Sequence, residues 1–494
     1  MTIQRGTELQ FNSYIFILAF LPFTLIAYYQ LHKLGWNLLA KALLLVMSLV
    51  FYSYFNFRYL YIICASIFLN YFFSKLLLAS GRTAAQKKWL LFIVVSLNLL
   101  ILFYFKYYNF FIENMNLLFQ DSFELKNIIL PLGISFLTFQ QIAYVVDSYR
   151  GETADYSFLD YAVFVAFFPR LIAGPIVLHN EFMPQLNEKK NHSINYENFS
   201  YGILMFAIGL AKKIFIADVF AQAVNWGYGS VGSLTSLDAF IVMLSYTFQI
   251  YFDFSSYTDM AIGIGLMFNI KLPINFNSPY KALSIQDFWK RWHITLTRFL
   301  TKYIYIPLGG NRKGPVRTYA NIMIVFLISG FWHGANWTFV FWGFVHGLAS
   351  VLTRRFSTQW NKMRTILQWF LTFLFVNIAW VFFRADSITQ GFTIIKRIAE
   401  FQTLAVSQTL LECFKVPVIT GLESLLYVVN SSAWVNGLDM MLFLAFTFVI
   451  ILLFKNLQEM EFKPTVVNAV FTVILLVCSI LSMSSISTFI YQGF

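Results

Sequence analysis

The residues best suited to chemistry in this chain are two histidines in aromatic, otherwise apolar sequence. His333 lies in GFWHGAN and His293 lies in FWKRWHITL. Imidazole titrates near neutrality and can take a proton from a hydroxyl group while that oxygen attacks an ester or thioester carbonyl. A histidine that lines a cavity in an apolar protein would therefore suit acyl transfer.

Each histidine also has a structural interpretation. His333 could hydrogen-bond a neighbouring helix and hold it in place. His293 could belong to an amphipathic helix at a membrane surface, with Phe288, Trp289 and Trp292 entering the interface. Composition alone favours the structural interpretation for His293, whereas the position of His333 at a predicted helix turn favours the functional one.

A basic loop, YIPLGGNRKGP, is a second candidate site. It lacks the spacing of a phosphate-binding P-loop. Arg312 and Lys313 among its glycines could still hold an anionic carrier such as coenzyme A at a cytoplasmic entrance. Anchoring to anionic lipid is the equally plausible alternative.

Other reactive residue types carry weaker signals. Asp253 and Asp259 in YFDFSSYTDMAIG are six residues apart, which on a straight helix separates them by about 120°. They should form no carboxylate pair and should instead bond backbone groups at a broken helix. The other histidines are expected to be structural or without a role: His346, His32, His179 and His192. The three cysteines lack metal-ligand or redox spacing and are expected in the core, so no metal site is predicted: Cys64, Cys413 and Cys478.

The elements that position these residues must lie in a membrane. Of 494 residues, 59% are hydrophobic and 12% are charged, and the mean hydropathy is +0.66. These values exclude a soluble globule and a disordered chain and indicate an all-α integral membrane protein. The net charge of +12 is typical of cytoplasmic loops that face anionic lipid, so nucleic-acid binding is not expected.

Apolar runs of spanning length predict roughly 11 to 13 membrane-embedded segments in one domain, residues 1–494. Pro131, Pro169 and Pro175 should bend or interrupt the segments that contain them. The runs are 12–31, 37–55, 57–79, 89–105, 128–149, 158–178, 200–224, 236–252, 318–332, 337–353, 366–383, 438–454 and 465–489.

Basic residues near segment ends set the orientation. They cluster at 82–88, 281–317 and 354–364, which we place in the cytoplasm. Segments 318–332 and 337–353 then form a hairpin that leaves the cytoplasm and returns, with WHGAN at its turn. Its first arm rises roughly 22 Å into a hydrocarbon layer of about 30 Å. His333 should therefore lie deep in the membrane, where an ionisable group is a functional candidate.

Four motifs together resemble the membrane-bound O-acyltransferase family, in particular its bacterial branch that O-acetylates polysaccharides. They are FPRLIAGPI, YFDFSSYTDMAIG, the run from NFNSPYKALSIQDFWKRWHITL to GGNRKG, and GFWHGANWTFVFWGFVHGL. The likeness is densest over residues 165–350, and further helices follow in 366–494. It implies a helical bundle around a through-membrane tunnel, with His333 as the catalytic histidine and His293 as the second motif histidine. It also implies acetyl-coenzyme A as donor, with no bound cofactor.

The resulting hypothesis is a multi-pass acyltransferase of the bacterial inner membrane. It would pass acetyl groups to a periplasmic partner of the SGNH esterase-like type, for O-acetylation of an alginate- or peptidoglycan-type polysaccharide. One alternative is a D-alanyl or other acyltransferase that uses a carrier protein as donor. Another is a transporter or flippase, whose inverted halves the sequence does not display.

Tyr491 in the terminal STFIYQGF is a candidate acyl carrier. Lys455 and Lys463 precede the last apolar run, which favours a cytoplasmic start and a periplasmic end. A phenol oxygen can form an ester once a base takes its proton, and the ending resembles an aromatic C-terminal motif of this branch. The alternative is an interfacial anchor, a common role of tyrosine.

Overall fold

The computed structural model describes residues 9–120, 122–401, 403, 405–415, 432–460, 462–483 and 487–490. These residues form helices and turns and contain no strand, which confirms the all-α prediction. The helices are α1 (Leu21–Lys33), α2 (Asn37–Ser53), α3 (Arg58–Leu78), α4 (Ala84–Leu102), α5 (Tyr108–Phe119), α6 (Ile134–Arg150), α7 (Phe158–Ala166), α8 (Phe168–Leu171), α9 (His179–Asn187), α10 (Tyr196–Lys212), α11 (Asp218–Gly229), α12 (Ser236–Met267), α13 (Ile285–Arg291), α14 (Ile294–Leu300), α15 (Gly314–His333), α16 (Trp337–Arg355), α17 (Ser357–Lys362), α18 (Thr365–Arg384), α19 (Ile388–Glu400), α20 (Gln408–Glu412), α21 (Ser432–Leu453) and α22 (Val466–Leu481).

Short helical turns of other types connect or extend these helices. The π-helical turns are Phe16–Phe20, Phe103–Tyr107, Lys213–Ala217 and Thr301–Tyr305, and the 3₁₀ turns are Lys189–His192, Val231–Ser233, Pro279–Lys281 and Leu457–Glu459.

Within the described part of the chain, 4 helical stretches are long and apolar enough to cross a membrane. They are Arg58–Leu78, Ala84–Phe119, Gly314–His333 and Thr365–Arg384. Shorter apolar helices cover Asn37–Ser53, Gly437–Leu453 and Val466–Leu481. The chain is therefore a multi-pass membrane protein, whereas the number of 11 to 13 embedded segments stays a prediction.

Breakers interrupt two of the apolar runs. In 128–149 the helix begins only at Ile134, because Pro131 precedes it and Gly133 has a left-handed backbone with φ of 70°. In 158–178, α7 ends before Phe167 and only the short α8 follows. Both outcomes agree with the predicted irregularity.

The expectation of a broken helix at Asp253 and Asp259 was wrong. Both residues lie inside α12, which continues unbroken to Met267. Asp253 is accommodated because Lys213 lies 2.6 Å from its carboxylate, so the charge is paired where it is buried.

The chain divides into two compact units. The first unit takes its described residues from Met1–Leu210, Ser256–Ile274 and Phe462–Phe494, and the second from Ala211–Ser255 and Asn275–Glu461. The prediction of one domain over residues 1–494 stays a prediction, and each unit is described separately.

An aromatic cluster forms part of the core of the first unit. Phe16 and Phe51 pack against Phe20 and Phe168, with ring centroids 5.4–6.1 Å apart. Stacked and edge-on rings at such distances stabilise a core beyond the area that they bury. The core of this unit therefore rests on interlocking phenylalanines.

Three of the remaining histidines make structural contacts within the first unit. His179, at the start of α9, is buried with Nε2 3.4 Å from Oδ2 of Asp147 on α6. The rings of His32 and His192 stack with centroids 4.1 Å apart. These contacts join neighbouring segments.

The cysteines do not lie in the core as expected. Cys64 on α3 and Cys478 on α22 are exposed, and Cys413 is half-buried. An apolar run in a membrane protein has an outward face as well as a core face, and both exposed cysteines occupy the outward face.

In the second unit, α15 and α16 form the predicted hairpin. A Cβ atom added at Gly330 would lie 2.3 Å from the carbonyl oxygen of Phe339, and one added at Gly343 would lie 2.4 Å from that of Phe326. Only glycine allows this approach of two helix backbones. The hairpin is therefore packed backbone against backbone.

Candidate active site

The turn between α15 and α16 determines where His333 lies. His333 is the last residue of α15, and Asn336 caps α16 by accepting a hydrogen bond from the Thr338 amide at 3.0 Å. The Asn336 amide group also donates to the carbonyl of Asp386. A Cβ atom at Gly334 would overlap the ring of Phe339, at 2.1 Å. Gly334 thus allows a tight turn, and Asn336 attaches the turn to the segment that contains Asp386.

Aromatic rings enclose the His333 side chain, which is 3% exposed. Its ring centroid lies 5.0 Å from that of Trp332, 5.2 Å from that of Trp342 and 5.1 Å from that of Phe383. Trp342 meets the imidazole edge-on, with the ring planes at 90°. These contacts restrict the rotation of the imidazole, so its nitrogens point in fixed directions.

His293 lies in the short turn between α13 and α14 and is the N-cap residue of α14. Its backbone is left-handed, with φ of 46° and ψ of 53°. A residue with a side chain pays roughly 1–3 kcal/mol for such a conformation, and residues of this kind cluster at functional sites. The turn is held by backbone hydrogen bonds from Ile294 to Asn275 and from Asn277 to Arg291, each 2.9 Å long.

The interfacial interpretation of the His293 segment was wrong. His293 is 0% exposed, and the neighbouring aromatic residues expected in the membrane interface are buried as well: Phe288, Trp289 and Trp292. Burial lowers the pKa of His293 to about 3, because a charged imidazole is disfavoured without water. The ring is therefore neutral at physiological pH.

Both histidines pack around the same tryptophan. The Trp332 ring lies 6.3 Å from the His293 ring and 5.0 Å from the His333 ring, measured between centroids. Residues 40 positions apart in sequence thus meet in one aromatic cluster of the second unit.

Arg312 and Lys313 lie at the other end of α15 from His333. The 20 residues of α15 make it about 30 Å long, whereas the sequence predicted an arm of roughly 22 Å. The depth of His333 in the membrane stays a prediction. Both basic residues are exposed. The Asn321 side chain donates to the carbonyl of Gly310 at 2.9 Å and so fixes their loop to α15.

His346 lies on a different helix from His333, which ends α15. It lies on α16, is 0% exposed, and its Nδ1 is 3.2 Å from the indole nitrogen of Trp289. The surrounding rings include those of Trp342 at 4.8 Å and Phe375 at 5.1 Å. The contacts agree with the expected structural role.

Tyr491 lies outside the described residues, so its role stays a prediction. Just before it, the Phe489 ring packs on that of Tyr257 with centroids 5.1 Å apart, and the carbonyl of Ser487 accepts a hydrogen bond from Asn12. Residues 487–490 are therefore attached to the first unit.

Sequence reasoning missed two features of the second unit. One is the buried ion cluster in which Lys213 lies 2.6 Å from Asp253 and 2.9 Å from Asp218. A lysine in one apolar helix and an aspartate in another were the available signal. The other is Asn275, whose side-chain oxygen meets His293. Its only signal was the amide in NFNSPY.

The fold and the site together define a class of protein. It is an all-helical membrane protein with two buried histidines around one tryptophan. Residues 49–388 match the profile of MBOAT, the membrane-bound O-acyltransferase family. The chain belongs to this family and is an O-acyltransferase.

Several curated proteins are similar to the chain. A peptidoglycan O-acetyltransferase of Helicobacter pylori is 47% identical over 80% of this chain and 81% of its own length. A probable alginate O-acetylase AlgI of Pseudomonas aeruginosa is 39% identical over 81% of this chain and 76% of its own length. A teichoic acid D-alanyltransferase of Bacillus subtilis is 28% identical over 52% of this chain and 69% of its own length.

Proposed function

We propose that this enzyme is an O-acetyltransferase of the bacterial inner membrane that carries acetyl groups from cytoplasmic acetyl-coenzyme A across the bilayer. A periplasmic SGNH-type partner would then place them on a polysaccharide of the peptidoglycan or alginate type. The enclosure of His333 by aromatic rings at the end of α15 carries this proposal. The 47% and 39% identities to a peptidoglycan O-acetyltransferase and a probable alginate O-acetylase support the acetyl group and the polysaccharide.

His333 acts as the general base in this proposal. It takes the proton of an acceptor hydroxyl while the hydroxyl oxygen bonds to the thioester carbonyl carbon. The tetrahedral intermediate then collapses, the carbon–sulfur bond breaks, and the coenzyme A thiolate leaves and recovers a proton from the imidazolium. The product is an acetyl ester, and His333 returns to its neutral state. The fixed orientation of the ring supports this role, since a general base must point at the proton that it removes.

Arg312 and Lys313 would hold the donor at the cytoplasmic entrance of a tunnel through the protein. They are exposed on a loop that Asn321 fixes to α15, the helix that ends at His333. Guanidinium and ammonium groups bind phosphates through charge-assisted hydrogen bonds. Phosphate binding at one end of α15 and chemistry at the other would separate donor recognition from acyl transfer.

Tyr491 would then receive the acetyl group on the periplasmic side by transesterification. Its phenol loses a proton as its oxygen bonds to the acetyl carbon, and the hydroxyl group of the first acetyl ester leaves and takes up a proton. Tyr491→Phe tests this step because phenylalanine keeps the interfacial ring and removes the oxygen that is acylated. Loss of polymer acetylation with unchanged donor binding is expected. Full activity in Tyr491→Phe would eliminate the relay and return Tyr491 to the role of an anchor.

A second candidate is D-alanyl transfer from a carrier protein, which the 28% identity to a teichoic acid D-alanyltransferase brings into consideration. The discriminating experiment offers the purified enzyme, in lipid nanodiscs, either acetyl-coenzyme A or a carrier protein loaded with D-alanine. Thiol release from acetyl-coenzyme A that requires His333 is the expected result. Turnover of the carrier-protein thioester alone would overturn the proposal in favour of D-alanyl transfer.

A further inference from the structure

The side chain of Asn275 makes an unusual set of contacts with the His293 turn. Its Oδ1 lies 3.1 Å from Nδ1 of His293, 3.2 Å from the backbone nitrogen of Thr295 and 2.9 Å from the Thr295 hydroxyl. Asn275 and Thr295 are both buried. One amide oxygen therefore contacts both the histidine ring and the first turn of α14.

The contact with the backbone settles which way round the amide lies. A backbone N–H can only donate, so the atom of Asn275 that faces Thr295 must be the oxygen and not the amide nitrogen. The same oxygen faces Nδ1 of His293, and a carbonyl oxygen can only accept. Nδ1 must therefore carry the hydrogen.

The second ring nitrogen follows from the charge state. The fully buried ring is neutral because burial lowers the pKa of His293 to about 3. A neutral imidazole carries one hydrogen, so its other nitrogen bears a lone pair. With Nδ1 protonated, Nε2 can accept hydrogen bonds and cannot donate them.

We propose that Asn275 is a positioning residue that fixes His293 as the Nδ1–H tautomer, so that Nε2 accepts a hydrogen bond from a polar hydrogen of the acyl acceptor other than that of the reacting hydroxyl group. The inference rests on the proposed function, because it gives the second motif histidine a role in orienting the molecule whose reacting hydroxyl group His333 deprotonates. A hydroxyl group has one hydrogen, which His333 removes, so His293 aligns the acceptor through a neighbouring hydroxyl or N–H group.

The rest of Asn275 agrees with a role carried by its oxygen alone. The amide nitrogen is buried and has no hydrogen-bond partner among the described residues. A buried donor left unsatisfied lowers stability, so stability alone would not favour this arrangement. The backbone carbonyl of Asn275, which accepts from Ile294, is retained in any variant.

The tautomer can be measured directly in the wild-type enzyme. ¹⁵N NMR of protein labelled at the histidine ring nitrogens, with the His293 signals assigned by their loss in His293→Gln, reports which nitrogen carries the hydrogen. A protonated Nδ1 and an unprotonated Nε2 are expected. The opposite tautomer, or a doubly protonated ring at neutral pH, would overturn the proposal without reference to activity.

Variants of Asn275 connect the tautomer to the reaction. Asn275→Leu keeps the size of the side chain and removes the acceptor, and we expect it to change the tautomer signals and to lower kcat about 10-fold with little change in the KM for the donor, the loss of roughly one hydrogen bond in the transition state. Asn275→Asp restores an oxygen and should recover most of the activity. Thr295→Val, which keeps the backbone N–H, is the control and should retain the tautomer.

The outcomes separate this inference from the proposed function. If His333→Phe stays active while the His293 signals are as expected, the assignment of His333 fails and the tautomer stands. If Asn275→Leu folds, keeps the wild-type tautomer signals and has normal kcat, Asn275 does not position His293 and the inference fails.

Discussion

His293 and His346 are both fully buried in the second unit and both are surrounded by aromatic rings, yet they have opposite hydrogen-bonding states. The Nδ1 atom of His346 faces the indole nitrogen of Trp289, which can only donate. Nδ1 of His293 faces the oxygen of Asn275, which can only accept.

The partner therefore decides what each histidine can do. His346 accepts the indole hydrogen of Trp289 at its one lone pair, on Nδ1, and carries its own hydrogen on Nε2, so it cannot act as a base. His293 donates its one hydrogen, on Nδ1, to Asn275, and its lone pair is on Nε2. Burial and aromatic neighbours are common to both histidines, so the donor or acceptor character of the first partner is the property that would separate His293, with its proposed role in the reaction, from His346.

Replacing His333 should have the largest effect. His333→Ala and His333→Phe both remove the proposed base, and a lost general base typically costs about 10²- to 10⁴-fold in kcat. Acetyl transfer from acetyl-coenzyme A, measured as thiol release and as polymer acetylation, is the assay.

The two variants of His333 differ in packing. Alanine leaves a space between Trp332, Trp342 and Phe383 and should lower the unfolding temperature, since the surroundings of a buried ring relax only partly. Phenylalanine fills the space. An active His333→Phe enzyme, or inactivity confined to a misfolded His333→Ala enzyme, would show that His333 is structural.

The next prediction tests the comparison itself. His293→Gln should lower kcat about 10- to 100-fold, which corresponds to losing one hydrogen bond that orients the acyl acceptor. His346→Gln makes the same chemical change and should lower stability by about 1–3 kcal/mol while kcat stays within about twofold. Paired kcat and thermal-unfolding measurements decide between them. Equal losses of kcat would mean that the hydrogen-bonding difference has no functional meaning.

Part of this arrangement could be predicted from the sequence. GFWHGAN predicted a hairpin with a histidine at its turn, because glycine, an asparagine cap and flanking apolar runs are local signals. The burial of the aromatic rings and His293 in FWKRWH could not be predicted, since it depends on packing against residues such as Trp342 and Trp380, which are distant in sequence. An amphipathic pattern is the same whether the apolar face meets lipid or protein.

The continuity of α12 could not be predicted for a related reason. A carboxylate inside an apolar run suggested the end of a helix, but its counter-ion, Lys213, lies 40 residues earlier in sequence. The fold of this segment depends on an ion pair between residues that are distant in sequence, which no local sequence pattern indicates.

The basic loop extends the comparison to exposed residues, and a smaller effect is expected there. Replacing Arg312 and Lys313 by glutamine should raise the KM for acetyl-coenzyme A about fivefold and leave kcat nearly unchanged, because exposed ionic contacts contribute about 0.2–1 kcal/mol each and lie away from the reacting carbonyl. Initial rates over a range of donor concentrations provide the measurement. An unchanged KM would return the loop to lipid anchoring, and raising the salt concentration should weaken donor binding in the wild type.

The smallest effect should come from Trp289→Phe, which removes the indole N–H from Nδ1 of His346 and keeps an aromatic ring in place. Losing a buried hydrogen bond of this kind costs about 1 kcal/mol, so the unfolding temperature should fall by a few degrees. Trp360→Phe is a matched control, since its indole donates to the carbonyl of Leu283 at 2.9 Å. Both variants should retain wild-type kcat, because neither hydrogen bond involves a residue to which the proposed mechanism gives a role. If Trp289→Phe lowers kcat as strongly as His293→Gln while Trp360→Phe does not, then His346 takes part in the chemistry, and the donor or acceptor character of its partner does not separate the two histidines.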